Sequence, residues 1–149
     1  MRAILTALIL TIASQAGAEC GKLCDGDWWM RATVSDFQAE LNVGADVRAR
    51  KEDGGIPLHY AAPATRAPAN IQALLNAGAD VTAQTMADVT PLHLAAMFSK
   101  PAQIQALLTA GVDAKANGRD GNTPWDYAQV NETLKGTEAY WALKDARFK

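Results

Sequence analysis

Histidine and cysteine are scarce in this 149-residue sequence, with two of each. Neither type stands among other ligands at metal-binding spacing, so no metal site is expected. Serine is nearly as rare. Ser14 falls in an apolar leader, and neither Ser35 nor Ser99 lies in a nucleophile-elbow context. There is no Gly-Lys-Ser/Thr phosphate cradle: Asp53-Gly54-Gly55 and Asn117-Gly118-Arg119-Asp120-Gly121 read as turns. With no nucleophile, base, cradle or ligand set, neither an enzyme nor a cofactor is expected. A clustered basic face is missing as well. Net charge is −2 with the signs interspersed, which argues against nucleic acid as a partner. Apolar residues make up 49% and charged residues 20%, a globular balance rather than a disordered one. The length favours one domain.

The one long apolar run stands at the start. Arg2 gives a positive flank, residues 3–13 are apolar but for Thr6 and Thr11, and Ala16-Gly17-Ala18 places small residues at a peptidase site. Residues 1–18 therefore read as a signal peptide cleaved after Ala18. The run is short for a membrane span, and Glu19 before Cys20 disfavours a lipid-anchored form. The mature chain, residues 19–149, is expected in a periplasm or outside the cell, without membrane insertion. It carries thirteen basic and sixteen acidic residues, a mildly acidic −3. In such a compartment the pair Cys20 and Cys24 reads as a disulfide clip that tethers the leading segment. A thiol-redox role for the pair is the weaker alternative, since redox pairs usually have two intervening residues.

Laid on itself, the chain repeats. Gly44-Ala-Asp-Val47 recurs as Gly78-Ala-Asp-Val81 and Gly111-Val-Asp-Ala114. Ile56-Pro-Leu-His59 recurs as Thr90-Pro-Leu-His93 and Thr123-Pro-Trp-Asp126. Both landmarks keep spacings of 34 and 33 residues. An apolar pair precedes the later glycines, Leu74-Leu75 and Leu107-Leu108, with Leu41 alone in the first copy.

Thr90-Pro-Leu-His-Leu-Ala-Ala96, followed by Ile104-x-x-Leu107-Leu108-x-x-Gly111, resembles the ankyrin repeat. The resemblance covers roughly residues 25–146. It implies an all-α solenoid of helix-turn-helix units joined by hairpin-like fingers. Residues 56–88 and 90–121 read as full repeats, and residues 25–55 and 122–149 as degenerate caps. The chemistry of the unit agrees. Thr90 can cap a helix, and Pro91 suits its first position. Ile104, Leu107 and Leu108 share one face. Gly111 can end that helix with a left-handed backbone, and Gly118 and Gly121 can supply finger turns.

Three departures stand out. Ile56 replaces the capping threonine, so its helix is expected to start loosely. One extra residue falls within 63–70, read as loop drift, the alternative being a loop shaped for function. Asp88 replaces the glycine of the other fingers, which predicts a stiffer or differently shaped tip. At the ends, Trp28, Trp29, Phe37 and Leu41, and then Trp125, Tyr140, Trp141 and Leu143, read as aromatic cap and core residues. His59 and His93 hold the same repeat position about one helix diameter, ~10 Å, apart. The family resemblance implies that they tie neighbouring fingers together.

The resemblance also implies a partner-binding concave face made of finger tips and first helices. Its candidates are Arg50, Glu52 and Asp53; Gln84, Met86 and Val89; Met97 and Phe98; and Asn117, Arg119 and Asp120. Ala64 and Val130 stand at matching helix positions. Met86, Val89, Met97 and Phe98 are apolar where water is expected, as at an interface. The function expected is protein binding by a monomer, the alternative being a self-associating envelope scaffold.

Overall fold

The structure is a computed structural model that describes residues 20–149; the leader read over residues 1–18 lies outside the described residues. Eight α-helices follow a short 3-10 turn at Gly21–Cys24. They are α1 Gly26–Trp29, α2 Val34–Asn42, α3 Pro57–Ala64, α4 Pro68–Asn76, α5 Pro91–Phe98, α6 Pro101–Thr109, α7 Pro124–Ala128 and α8 Glu138–Ala146. No strand occurs among the described residues. The odd-numbered helices form one layer, with α3 against α1 and α5, and α5 against α7. The even-numbered helices form the second, α2 against α4, α4 against α6 and α6 against α8. The molecule is an all-α repeat stack, as the ankyrin resemblance implies. No described helix is long and apolar enough to cross a membrane.

Helix starts follow the local chemistry. Five helices carry proline at their first turn, where a missing N–H costs nothing. Thr33 exchanges bonds with Asp36 three residues on, closing a capping box, and at α7 Asp126 Oδ2 accepts from both the N–H and the Oγ1 of Thr123. At α5 the partner is a histidine: Thr90 Oγ1 accepts from the His93 N–H, while His93 Nδ1 accepts from the Thr90 N–H. At α3 the expectation of a loose start is corrected. Ile56 has no side-chain acceptor, yet His59 Nδ1 accepts its N–H at 3.1 Å. Half of the box therefore survives without threonine. Helix ends use glycine, with φ of 97°, 94° and 81° at Gly44, Gly78 and Gly111.

The core alternates layers of leucine, isoleucine and alanine between aromatic ends. Leu58, Leu92, Ala61, Ala62, Ala95 and Ala96 are fully buried in the inner layer, with Ile71, Leu74, Ile104 and Leu107 beneath them. The alanines let inner helices approach closely. At the first cap Trp29 is fully buried, lies against Trp28 and Phe37, and donates from Nε1 to the Leu23 carbonyl at 2.7 Å. At the last cap Trp125 stacks on Tyr140, and Leu134 and Leu143 complete the seal. Trp141 is a correction: it faces outward, half exposed, under Lys144.

Candidate partner-binding surface

Each finger closes with the same turn. Lys51 N–H donates to Gly55 O and Gly54 N–H to Lys51 O. In the second finger Thr85 N–H donates to Val89 O and Asp88 N–H to Thr85 O; in the third, Gly118 N–H donates to Asn122 O and Gly121 N–H to Gly118 O. The fingers thus share one shape, which corrects the expectation of a differently shaped second tip. Asp88 adopts φ 58°, the left-handed conformation that Gly54 and Gly121 hold at 80°. It is the one non-glycine residue with positive φ among those described. Gly118 does not use that freedom; only Gly121 does.

Adjacent fingers are bonded into a ribbon. Met86 N–H donates to Asp53 O at 2.8 Å, and Arg119 N–H to Ala87 O at 3.0 Å. The histidines brace the ribbon from below, as the resemblance implies. With Nδ1 accepting a backbone N–H, each ring carries its proton on Nε2. His59 Nε2 donates to Val89 O at 2.9 Å, and His93 Nε2 to Asn122 O at 3.2 Å. Burial disfavours the imidazolium and lowers both pKa values from the usual 6.5, outweighing the carbonyls that raise them.

Most of the charged finger candidates act inside this ribbon. Arg50 donates to Gly54 O and Gln84 O. Arg119 donates to Met86 O and lies 4.0 Å from Asp88. Asp53 accepts from Gly55 N–H and Tyr60 Oη. The Gly55 bond leads in lowering its pKa, while burial, and after it Asp53, push Tyr60 up to about 12. One repeat pair on, Asp120 accepts from Tyr127 Oη and Asn122, which pull its pKa down to about 2. Glu52, Gln84 and Asn117 are exposed, with no side-chain hydrogen bond among the described residues. Met86 stands between them, 66% exposed. Val89 is half-buried and lends its carbonyl to His59.

Met97 and Phe98 occupy the far end of α5, about 12 Å from Val89 at 1.5 Å per residue. The proposed surface therefore has two regions: a finger ridge, and an apolar row at the C-terminal ends of the inner helices. Phe98 is 63% exposed and Met97 half-buried; Val130 is exposed and Ala64 half-buried.

Sequence reading missed the stitching on the edge opposite the fingers. Buried side chains there bond backbone carbonyls one unit back. Asn70 Nδ2 donates to Ala32 O at 2.8 Å, Gln103 Nε2 to Thr65 O at 2.8 Å, Ser99 Oγ to Ala62 O, and Asn131 Nδ2 to Ala96 O at 3.0 Å. The longer loop at 65–67 is ordered by this network, since buried Thr65 also accepts from Asn70 and Ala67 N–H. The one signal available was the 33-residue spacing of Asn70 and Gln103.

Cys20 and Cys24 are buried at disulfide distance, with Cα atoms 5.3 Å apart. They pack with Ala49 and Tyr60, so the clip ties the leading segment to the first finger. Between them runs an open groove of about 510 Å³ lined by residues 50–53. Among the described residues no three acidic, histidine or cysteine side chains gather as a metal site would need.

The ankyrin-repeat family model matches residues 53–86, which take in the end of the first finger, α3, α4 and part of the second finger. No curated protein matches the chain. An ankyrin repeat supports a role in protein–protein interaction. The chain thus carries an ankyrin repeat at residues 53–86, with a similar helical unit before and after it.

Proposed function

We propose that the mature chain, exported and cleaved after Ala18, binds another protein through its finger ridge and inner-helix row, in a periplasm or outside the cell. The observation that carries this reading is Met86. A large apolar side chain stands in water on a rigid hydrogen-bonded ribbon, among polar side chains left without internal partners. Apolar anchors ringed by adaptable polar groups are the usual anatomy of an interface. Phe98 is a second such anchor. The ribbon fixes Met86 and helix α5 fixes Phe98 before a partner arrives, which limits the ordering cost of association.

Affinity capture from the native envelope tests this, with residues 19–149 as bait. The partners captured by the wild-type bait are expected to fall away with Met86→Ala and with the Met97→Ala, Phe98→Ala pair. If every captured protein is retained by all these baits, the surface is wrong. A self-associating scaffold is the second reading, favoured by exposed Val34 and Val43 at one end of the stack and Trp141 and Phe148 at the other. Light scattering decides it: a monomer at high concentration removes the scaffold reading.

A further inference from the structure

The edge opposite the fingers carries a row of cations without a bonded partner among the described residues. The first three turns from an inner to an outer helix hold one each: Arg31 after α1, Arg66 after α3 and Lys100 after α5. All three are exposed. None makes a side-chain hydrogen bond or an ion pair among the described residues, while Lys22, Lys135 and Arg147 all have acidic partners. The buried amide network fixes their spacing, because Asn70, Ser99 and Gln103 bond each turn to the one before. Arg31 and Arg66 share an open recess of about 310 Å³ with Asp27 and Met30, and Asp27 is in ion-pair contact with neither.

Beside the cations runs the apolar row. Met30, Pro63, Met97 and Val130 recur at spacings of 33, 34 and 33, with Phe98 adjacent. Met30, Phe98 and Val130 are exposed. Neighbouring inner helices lie about 8–10 Å apart, so both rows extend for two to three such steps in parallel.

We infer that this edge binds an acidic protein segment that carries bulky apolar side chains, its carboxylates set against Arg31, Arg66 and Lys100 and its apolar residues on Met30, Phe98 and Val130. This inference rests on the protein-binding reading and names the partner's chemistry. Charge complementarity carries it: three cations of one sign, held at fixed pitch and left unpaired, face outward beside exposed apolar surface. An anionic membrane is the poorer fit, since lipid-binding patches gather four to eight cations.

A random peptide display library panned on the folded protein, residues 19–149, tests this. The enriched peptides are expected to be acidic and to contain Leu, Ile, Phe or Trp. Their Kd values are expected to weaken about tenfold or more in an Arg31→Glu, Arg66→Glu, Lys100→Glu variant, and as salt rises. Because these side chains bond to nothing among the described residues, the variant is expected to keep the wild-type circular dichroism and melting temperature. No enrichment, enrichment without acidic bias, or binding unchanged by the triple reversal would overturn the inference. Peptides lost with Met86→Ala but kept by the triple reversal would sink it while leaving the broader protein-binding reading intact. Vesicles containing phosphatidylserine serve as the lipid control, and binding to them in place of peptides counts against it.

Discussion

Stability between pH 5 and 7 is expected to be governed by the two histidines that brace the fingers. Each has a pKa lowered by burial, and each uses its unprotonated Nδ1 to accept a helix-start N–H. Protonating Nδ1 would set two donors against each other in a buried site. The unfolded chain, whose histidines have a pKa near 6.5, takes up protons first as pH falls. Stability from these groups is thus complete above about pH 6.5 and declines below it, down to the folded-state pKa. One histidine that stays neutral in the fold gives a slope of at most about 1.4 kcal/mol per pH unit, and two give at most about 2.7. The carboxylates with lowered pKa values, Asp36, Asp53, Asp80, Asp120 and Asp126, act lower. Their stabilisation is lost only as pH falls below about 4. Urea unfolding at half-unit steps from pH 5 to 7.5 measures the slope, and a His59→Gln, His93→Gln variant is expected to flatten it. A wild-type curve already flat across this range, or a slope that survives in the variant, would refute the assignment.

Other outcomes follow from single contacts. Trp29→Ala empties a fully buried site and removes a hydrogen bond, so a loss of about 3–5 kcal/mol in chemical denaturation is expected. Asp88→Ala is expected to cost about 1 kcal/mol, because alanine resists a positive φ, whereas Asp88→Gly stays near neutral in the same assay. Reducing the Cys20–Cys24 bridge frees a loop of about five residues. Loop-closure entropy puts that at about 2 kcal/mol, readable as a lowered melting temperature in dithiothreitol. Thr90→Val removes a helix cap and is expected to cost about 1 kcal/mol by urea titration.

The fold was legible because its signals are local and periodic. Proline after threonine, glycine after paired leucines and the histidines of α3 and α5 recur at one spacing, and each has a physical role within a few residues of itself. Position 88 shows the limit. Register placed Asp88 where Gly54 and Gly121 stand, but residue type argued for a different turn; the bonds from Thr85 outweighed the intrinsic preference. The candidate surface was less legible for a different reason. Arg50, Arg119, Asp53 and Asp120 look free in sequence, yet they bond backbone or tyrosine groups brought beside them by the turn or the next unit. Asn70, Gln103, Ser99 and Asn131 look like surface polar residues, yet they are buried because their partners are carbonyls 32 to 38 residues away. Charge or polarity in a sequence does not say whether a partner is internal.

The central claim is that the finger ridge touches another protein, and site-specific photocrosslinking tests it most directly. A photoreactive amino acid at position 86 in the native organism is expected to trap a discrete partner, while the same group at exposed position 72, on outer helix α4, traps none. Equal products from both positions, or none from position 86, would contradict the account.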